Sequence, residues 1–190
     1  MRKNFGSQPW TYPQVVFIIG SYDENGKADA MNAAWCGMGN DDEIVMCISA
    51  GHKTTKNIRA VKAFSVSLAD REHMDVADFF GIATGNKMPD KFARTGYHAA
   101  KSEFVNAPVI EEFPVVMECE LADVVSNDSF YCIVGKIVNV AAEEKVLDPN
   151  GKVNPAKLNA LIFDQFQNGY YVTGEQAGRA WHAGAGLMKK

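Results

Sequence analysis

No apolar run in the 190-residue sequence approaches 18 residues, so it encodes no membrane-spanning helix. The basic opening Met1-Arg2-Lys3 lacks the apolar stretch that a secretory signal needs, and the cytoplasm is the expected location. The four cysteines, Cys36, Cys47, Cys119 and Cys132, form no C-x-x-C pair, so no zinc or thioredoxin-type motif is signalled. Each sits in an apolar, strand-like run, where a reduced, buried thiol is expected. Neither the Rossmann G-x-G-x-x-G fingerprint nor the P-loop spacing is present. There is no catalytic triad, internal repeat or low-complexity linker. Net charge is only −4, too small to draw the whole molecule to nucleic acid or anionic membranes.

What is present suits one domain spanning 1–190. Apolar residues make up 47% and charged residues 22%, enough for a substantial core. Val15 to Gly20 reads as a strand, the Asn25-Gly26 signal as a turn, and Ala28 to Cys36 as the returning strand of a hairpin. Glu43 to Ala50 is a third strand. Thr54 or Thr55 is expected to cap a helix that buries Ile58 and Val61. Ala63 to Ala69 alternates as a strand, and Glu72 to Ile82 has a helical apolar face. Asp90 to Thr95 makes a short helical turn closed by Gly96. Val115 to Val125 and Phe130 to Val146 are long strands about a polar turn. Asn154-Pro155 opens a short helix through about Leu161, Gly169 to Thr173 is a last strand, and the tail from about 175 is irregular. Strands outnumber helices and tight turns join many of them. The expected fold is mainly β: an antiparallel β-barrel with peripheral helices, whose closure removes exposed edges.

Three segments carry candidate chemistry. In Ser49-Ala50-Gly51-His52-Lys53-Thr54-Thr55-Lys56-Asn57, unpaired amides at a helix start meet two hydroxyls and two lysines. That suits a phosphate dianion. It also suits an ordinary threonine cap beside solvated lysines. In Ala30-Met31-Asn32-Ala33-Ala34-Trp35, small side chains let a flat ligand approach the strand, and Asn32 can both donate and accept. A packed strand with a core tryptophan reads equally well. Thr84 to Gly96 is a glycine-bearing loop with Lys87, Lys91 and Arg94; alone it reads as solvated surface. His73, His98 and His182 share no ligand spacing, and Tyr170-Tyr171 reads as core or interface. Trp181-His182 lies in the irregular tail.

The order of these segments resembles the flavin reductase-like family, within it the flavoredoxin branch. The matching pieces begin with Pro13 to Gly20 and Asn25 to Trp35. They continue through His52 to Ile58, Gly85 to Gly96 and Phe104 to Leu121, within about residues 10 to 165. The resemblance implies an FMN-binding split barrel, usually a homodimer with the flavin sites near the interface. It places Ala30, Met31, Asn32, Ala33, Ala34 and Trp35 along the isoalloxazine edge, with Ser49 and Ala50 continuing that wall. It gives the phosphate to Lys53, Thr54 and Thr55 near Asn57, and directs Lys91 toward the phosphate or ring. No residue is expected to act as acid, base or nucleophile, because the cofactor carries the chemistry. Three functions follow as alternatives: an NADH- or NADPH-dependent flavin reductase serving a flavin, metal or protein acceptor, a non-enzymatic FMN electron carrier, or a flavin-free sensor of another phosphorylated ligand.

Overall fold

The computed structural model describes residues 1–128 and 130–189. Its strands and helices begin with β1 (Gln14–Val15), β2 (Phe17–Tyr22), β3 (Ala28–Ala33), β4 (Cys36–Asn40), β5 (Glu43–Cys47) and α1 (Lys53–Val61). There follow β6 (Ala63–Leu68), α2 (Met74–Ile82), α3 (Lys91–Arg94), β7 (Ala99–Lys101), β8 (Pro108–Ile110) and β9 (Val115–Asn127). The chain closes with β10 (Phe130–Ala142), α4 (Pro155–Leu158), β11 (Leu161–Asp164) and β12 (Gly169–Val172).

Seven strands form one antiparallel sheet in the order β3-β2-β6-β9-β10-β5-β4. Its two outer strands, β3 and β4, are joined by Ala34 and Trp35 alone, so the sheet must curl until its edges meet. The core confirms the curl. Ile19, Ala33, Met46, Phe64, Cys119 and Ile133 share one buried cluster, although their strands span the whole sheet. Gly135 makes room for it: a Cβ there would lie 2.3 Å from Cζ of Phe64. The seam between β3 and β4 carries no ladder pairing, and this is the split of the barrel.

Outside β2 and β3 lies a second core. Ile18 and Ala30 face away from the barrel interior and pack with Ala77, Phe80 and Phe92 of α2 and α3. Both faces of β2 are therefore covered, which is why Phe17 to Ser21 is buried without interruption. Beside it, β1, β11 and β12 form a small sheet, with Ile162 and Phe163 paired to Tyr171 and Tyr170.

Three differences from the sequence reading have plain causes. The run Ala28 to Cys36 is two strands, because the chain turns the barrel's edge at Ala34-Trp35. The cap of α1 is His52, with no side-chain cap bond; Thr54 and Thr55 sit inside the first turn. The expected polar turn begins late, since β9 runs to Asn127; Ser129 of that turn lies outside the described residues. Asn154 does cap α4, its Oδ1 accepting from the amides of Ala156 and Lys157. Residues 175–184 carry no strand or helix, and a 3-10 helix follows at Ala185–Lys189.

Candidate functional site

At the split, the end of β3 stands opposite the end of β5 and leaves a cleft of about 330 Å³. That lies at the small end of the size range of ligand sites, roughly 300–1,000 Å³. Met31, Asn32, Ala33, Ala34 and Trp35 form one wall, and Cys47, Ile48 and Ser49 the other. Gly81 and Ile82 at the end of α2, with Phe163 and Tyr170, complete it. Gly81 packs closely on the strand: a Cβ there would lie 3.3 Å from Cβ of Asn32. Trp35 is 54% exposed and leans on Phe163, ring centroids 6.3 Å apart. It is a half-open flank of the cleft and not a core residue. The Asn32 side chain donates to the carbonyl of Ala77 at 2.9 Å, which ties β3 to α2. The Tyr170 hydroxyl donates to Asp78, and burial, with that carboxylate second, pushes its pKa up to about 12.

The cleft continues past Met31, Asn32, His52 and Gly81 into a second, smaller compartment of about 110 Å³. Asp29, Lys53, Thr54, Thr84, Gly85 and Lys91 line it. The start of α1 opens here, and its first amides have no intrahelical acceptor. Lys91 reaches in from below, 2% exposed, donating to the carbonyls of Ala83 at 3.0 Å and Phe80 at 3.4 Å. Its ammonium therefore closes the C-terminal end of α2 and lies 3.8 Å from Asp29. Burial lowers the Lys91 pKa and Asp29 opposes that fall. Burial raises the Asp29 pKa, with Lys91 and then Lys53 pulling it back. Asp29 Oδ2 has no hydrogen-bond partner among the described residues. His52, on the border of the two compartments, has its pKa lowered by burial and then by Lys91. A neutral imidazole is thus favoured at the neck. The loop above is pinned by Asn86, which donates to the Gly51 carbonyl at 2.9 Å and accepts from Lys56.

The structure brings Met31, Asn32, Ala33, Ala34, Trp35 and Ser49 to the larger compartment, and Lys53, Thr54 and Lys91 to the smaller. Four candidates from the sequence lie elsewhere. Ala30 is buried in the second core against α2. Thr55 is buried and donates to the Ser49 carbonyl at 2.7 Å, a brace for the loop before α1. Asn57 is buried and donates to Ser21. Ala50 faces the neighbouring surface toward Asp128 and Phe130. Asp29 and Gly81 were not among the candidates, His52 was given no role within its segment, and Tyr170 was read as core or interface, whereas the structure puts all four at the cleft. Asp29 directly precedes the strand that was singled out, and His52 directly precedes the helix, but only the fold places them at one neck.

Residues 10–166 match the family model of the flavin reductase like domain. The chain belongs to that family. Among solved structures of the same fold, the flavoredoxin of Desulfovibrio vulgaris (Miyazaki F) is 30% identical, with a TM-score of 0.92 over 97% of this chain and 100% of its own. Flavoredoxin from Methanosarcina acetivorans is 25% identical, with a TM-score of 0.90 over 99% and 100%. An FMN-binding protein from Thermus thermophilus, 21% identical, shares the fold at a TM-score of 0.75 over 94% of this chain and 99% of its own. An uncharacterized protein of Aeropyrum pernix is 28% identical over 127 residues, 66% of this chain. This flavin reductase-like chain spans about half the length of that relative, 48% being matched. No helix among the described residues is long and apolar enough to cross a membrane.

The two compartments fit a phosphorylated flavin. The larger is flat-walled and mostly apolar, with small side chains at Ala33, Ala34 and Gly81. The smaller offers helix amides and two lysines to a dianion. Lys53 and Lys91 are each paired to a carboxylate, Asp23 at 3.9 Å and Asp29 at 3.8 Å, so both ammoniums are held in place before a ligand arrives.

Proposed function

We propose that this chain binds FMN non-covalently and works as an NADH- or NADPH-dependent flavin reductase in the cytoplasm. The observation that carries the proposal is the union of a flat apolar cleft with a cationic, amide-lined compartment across one neck. Lys53, Thr54 and the first amides of α1 would hold the phosphate. Ala33, Ala34, Ser49 and Trp35 would border the ring, and Lys91 would support the neck from below. Bound FMN would accept hydride from the nucleotide and pass electrons to a flavin, metal or protein acceptor. The protein's own part is position, electrostatics and the exclusion of water. A second reading, a non-enzymatic electron carrier, is favoured by the likeness to the two flavoredoxins.

Titration of the purified protein with FMN, FAD and riboflavin tests the first step. FMN is expected to bind most tightly, since charge-assisted bonds to a phosphate contribute roughly 1.5–3 kcal/mol each. Equal affinity for riboflavin would remove the phosphate from the proposal. Anaerobic mixing of the loaded protein with NADH or NADPH tests the second step, with bleaching of the flavin band expected. Reduction by dithionite or a reduced protein, but by neither nucleotide, would establish the carrier.

We further propose a homodimer. Val125, Phe130, Val138 and Val140 are exposed apolar residues of β9 and β10, the kind that a second copy would cover. Light scattering should report twice the chain's 20.8 kDa. A particle of single-chain mass at micromolar concentration would refute it.

A further inference from the structure

Cys47 and Cys132 face each other across the β5–β10 ladder, Sγ to Sγ 3.6 Å. The Ile137 amide donates to the Asp42 carbonyl at 2.8 Å, which marks a hydrogen-bonded position. Counting back along the unbroken register from Lys136↔Glu43, Cys132↔Cys47 is a non-hydrogen-bonded position. The Cys47 amide agrees, since it donates away from β10 to the Trp35 carbonyl at 2.8 Å. At such positions the Cα atoms stand about 4.5 Å apart. Disulfides accept roughly 4.4–6.8 Å, so the pair lies at the near edge of what a bond tolerates.

The two sulfurs also differ in access. Cys47 is exposed and lines the larger compartment of the cleft, whereas Cys132 is 2% exposed behind it. Of the remaining thiols, Cys36 is half-buried and close enough to the pair that, after burial, Cys47 and Cys132 also push its pKa up. Cys36 packs against the barrel core, and Cys119 is wholly buried within it. This departs from the sequence expectation of four buried thiols: Cys47 ends β5 at the split, where no strand covers it.

We infer that Cys47 and Cys132 form a reversible dithiol–disulfide couple on the wall of the cleft, oxidised by a small-molecule disulfide. The Cys47 thiolate attacks one sulfur of the disulfide and expels one thiolate, leaving a mixed disulfide on Cys47. The Cys132 thiolate then attacks the Cys47 sulfur and expels the second. Two protein thiols lose two electrons, the small disulfide gains them, and the two thiol protons end on the released thiols. Burial, and then Cys47 beside it, push the Cys132 pKa up to about 11. Once Cys47 is in a mixed disulfide it can no longer carry charge, and Cys132 is released from that part of the rise. Attack from outside thus begins at Cys47 and closes at Cys132. The couple does not depend on the FMN reading, although the shared wall links the two.

The test uses the reduced, flavin-free chain, incubated with oxidised glutathione and read by intact and peptide mass spectrometry. The wild type is expected to lose two of its four thiols, retain no glutathione, yield a Cys47–Cys132 cross-linked peptide, and recover both thiols with dithiothreitol. Cys132→Ser and Cys132→Ala are expected to hold one glutathione per chain on Cys47. Cys47→Ser is expected to stay unmodified. Wild type that keeps glutathione on Cys47 without closing, that links two chains, or that does not react would overturn the inference. Each outcome is read without flavin, so failure here is separable from failure of the FMN proposal.

Discussion

Lys91→Met is expected to cost about 3–5 kcal/mol of folding stability at neutral pH, the usual result of removing one partner from a buried ion pair. The Lys91 and Asp29 side chains are only 3% and 4% exposed. Without the ammonium, Asp29 keeps a buried charge whose Oδ2 already lacks a hydrogen-bond partner among the described residues. The carbonyls of Ala83 and Phe80 also lose their donor. The pH dependence gives a second check. The native pKa of Asp29 is already raised by burial, and losing Lys91 removes the largest influence opposing that rise. Between the ordinary carboxylate pKa and the raised one, the native state holds more protons than the unfolded state. Stability therefore falls as pH rises through that window. Loss of Lys91 widens the window upward, so the deficit of the variant should shrink as pH is lowered from 7 toward 5. Adding Asp29→Asn should recover most of the loss at pH 7. Urea denaturation of the single and double variants at both pH values measures this. A deficit under about 1 kcal/mol, or one unaffected by Asp29→Asn, would show that the pair does not hold the neck together.

Gly85→Ala should weaken FMN by roughly 10- to 150-fold and leave riboflavin nearly unchanged, the loss of one charge-assisted contact of about 1.5–3 kcal/mol. A Cβ at residue 85 would lie 2.9 Å from Asp29 Oδ2 and 2.9 Å from Cδ of Lys53. One of these must move, and both line the smaller compartment. Gly85 is not among the positive-φ glycines, so alanine brings no backbone strain there. The larger compartment, which Gly85 does not touch, is untouched by the change. Paired fluorescence titrations decide it. An equal fall for both flavins would mean a general distortion of the cleft, and unchanged FMN affinity would move the phosphate elsewhere.

The elements that were legible in the sequence are those whose signal is local. The hairpin around Asn25-Gly26, helix α2 and the Asn154 cap depend on turn chemistry and periodicity within a dozen residues. The break at Ala34-Trp35 was not legible, because nothing local distinguishes a strand that bends from one that crosses to the far edge of a sheet. The short strands β7, β8 and β11 were missed for a related reason. Three or four residues carry no period of their own, and β11 is held on its other side by a distant partner, Ile162 pairing with Val15 of β1.

Within the candidate site the same division holds. The order of the segments resembled a known family, and with it came the split barrel; turn and strand signals gave the mainly β class, and the run of small residues marked one stretch of the chain from which the cleft is built. Those properties are written in types and spacings. Which side chains face the cleft was decided by the tertiary structure. Ala30 is buried against α2 while Ala33 lines the cleft, and the loop before α1 uses Thr55 as a brace instead of a ligand. Asp29 meets Lys91, 62 positions away in the chain, only because α3 folds beneath the end of α2. Cys47 meets Cys132 only through the β5–β10 register. Charge pairs and thiol pairs depend on distance in space, and a sequence specifies that distance only through the completed fold.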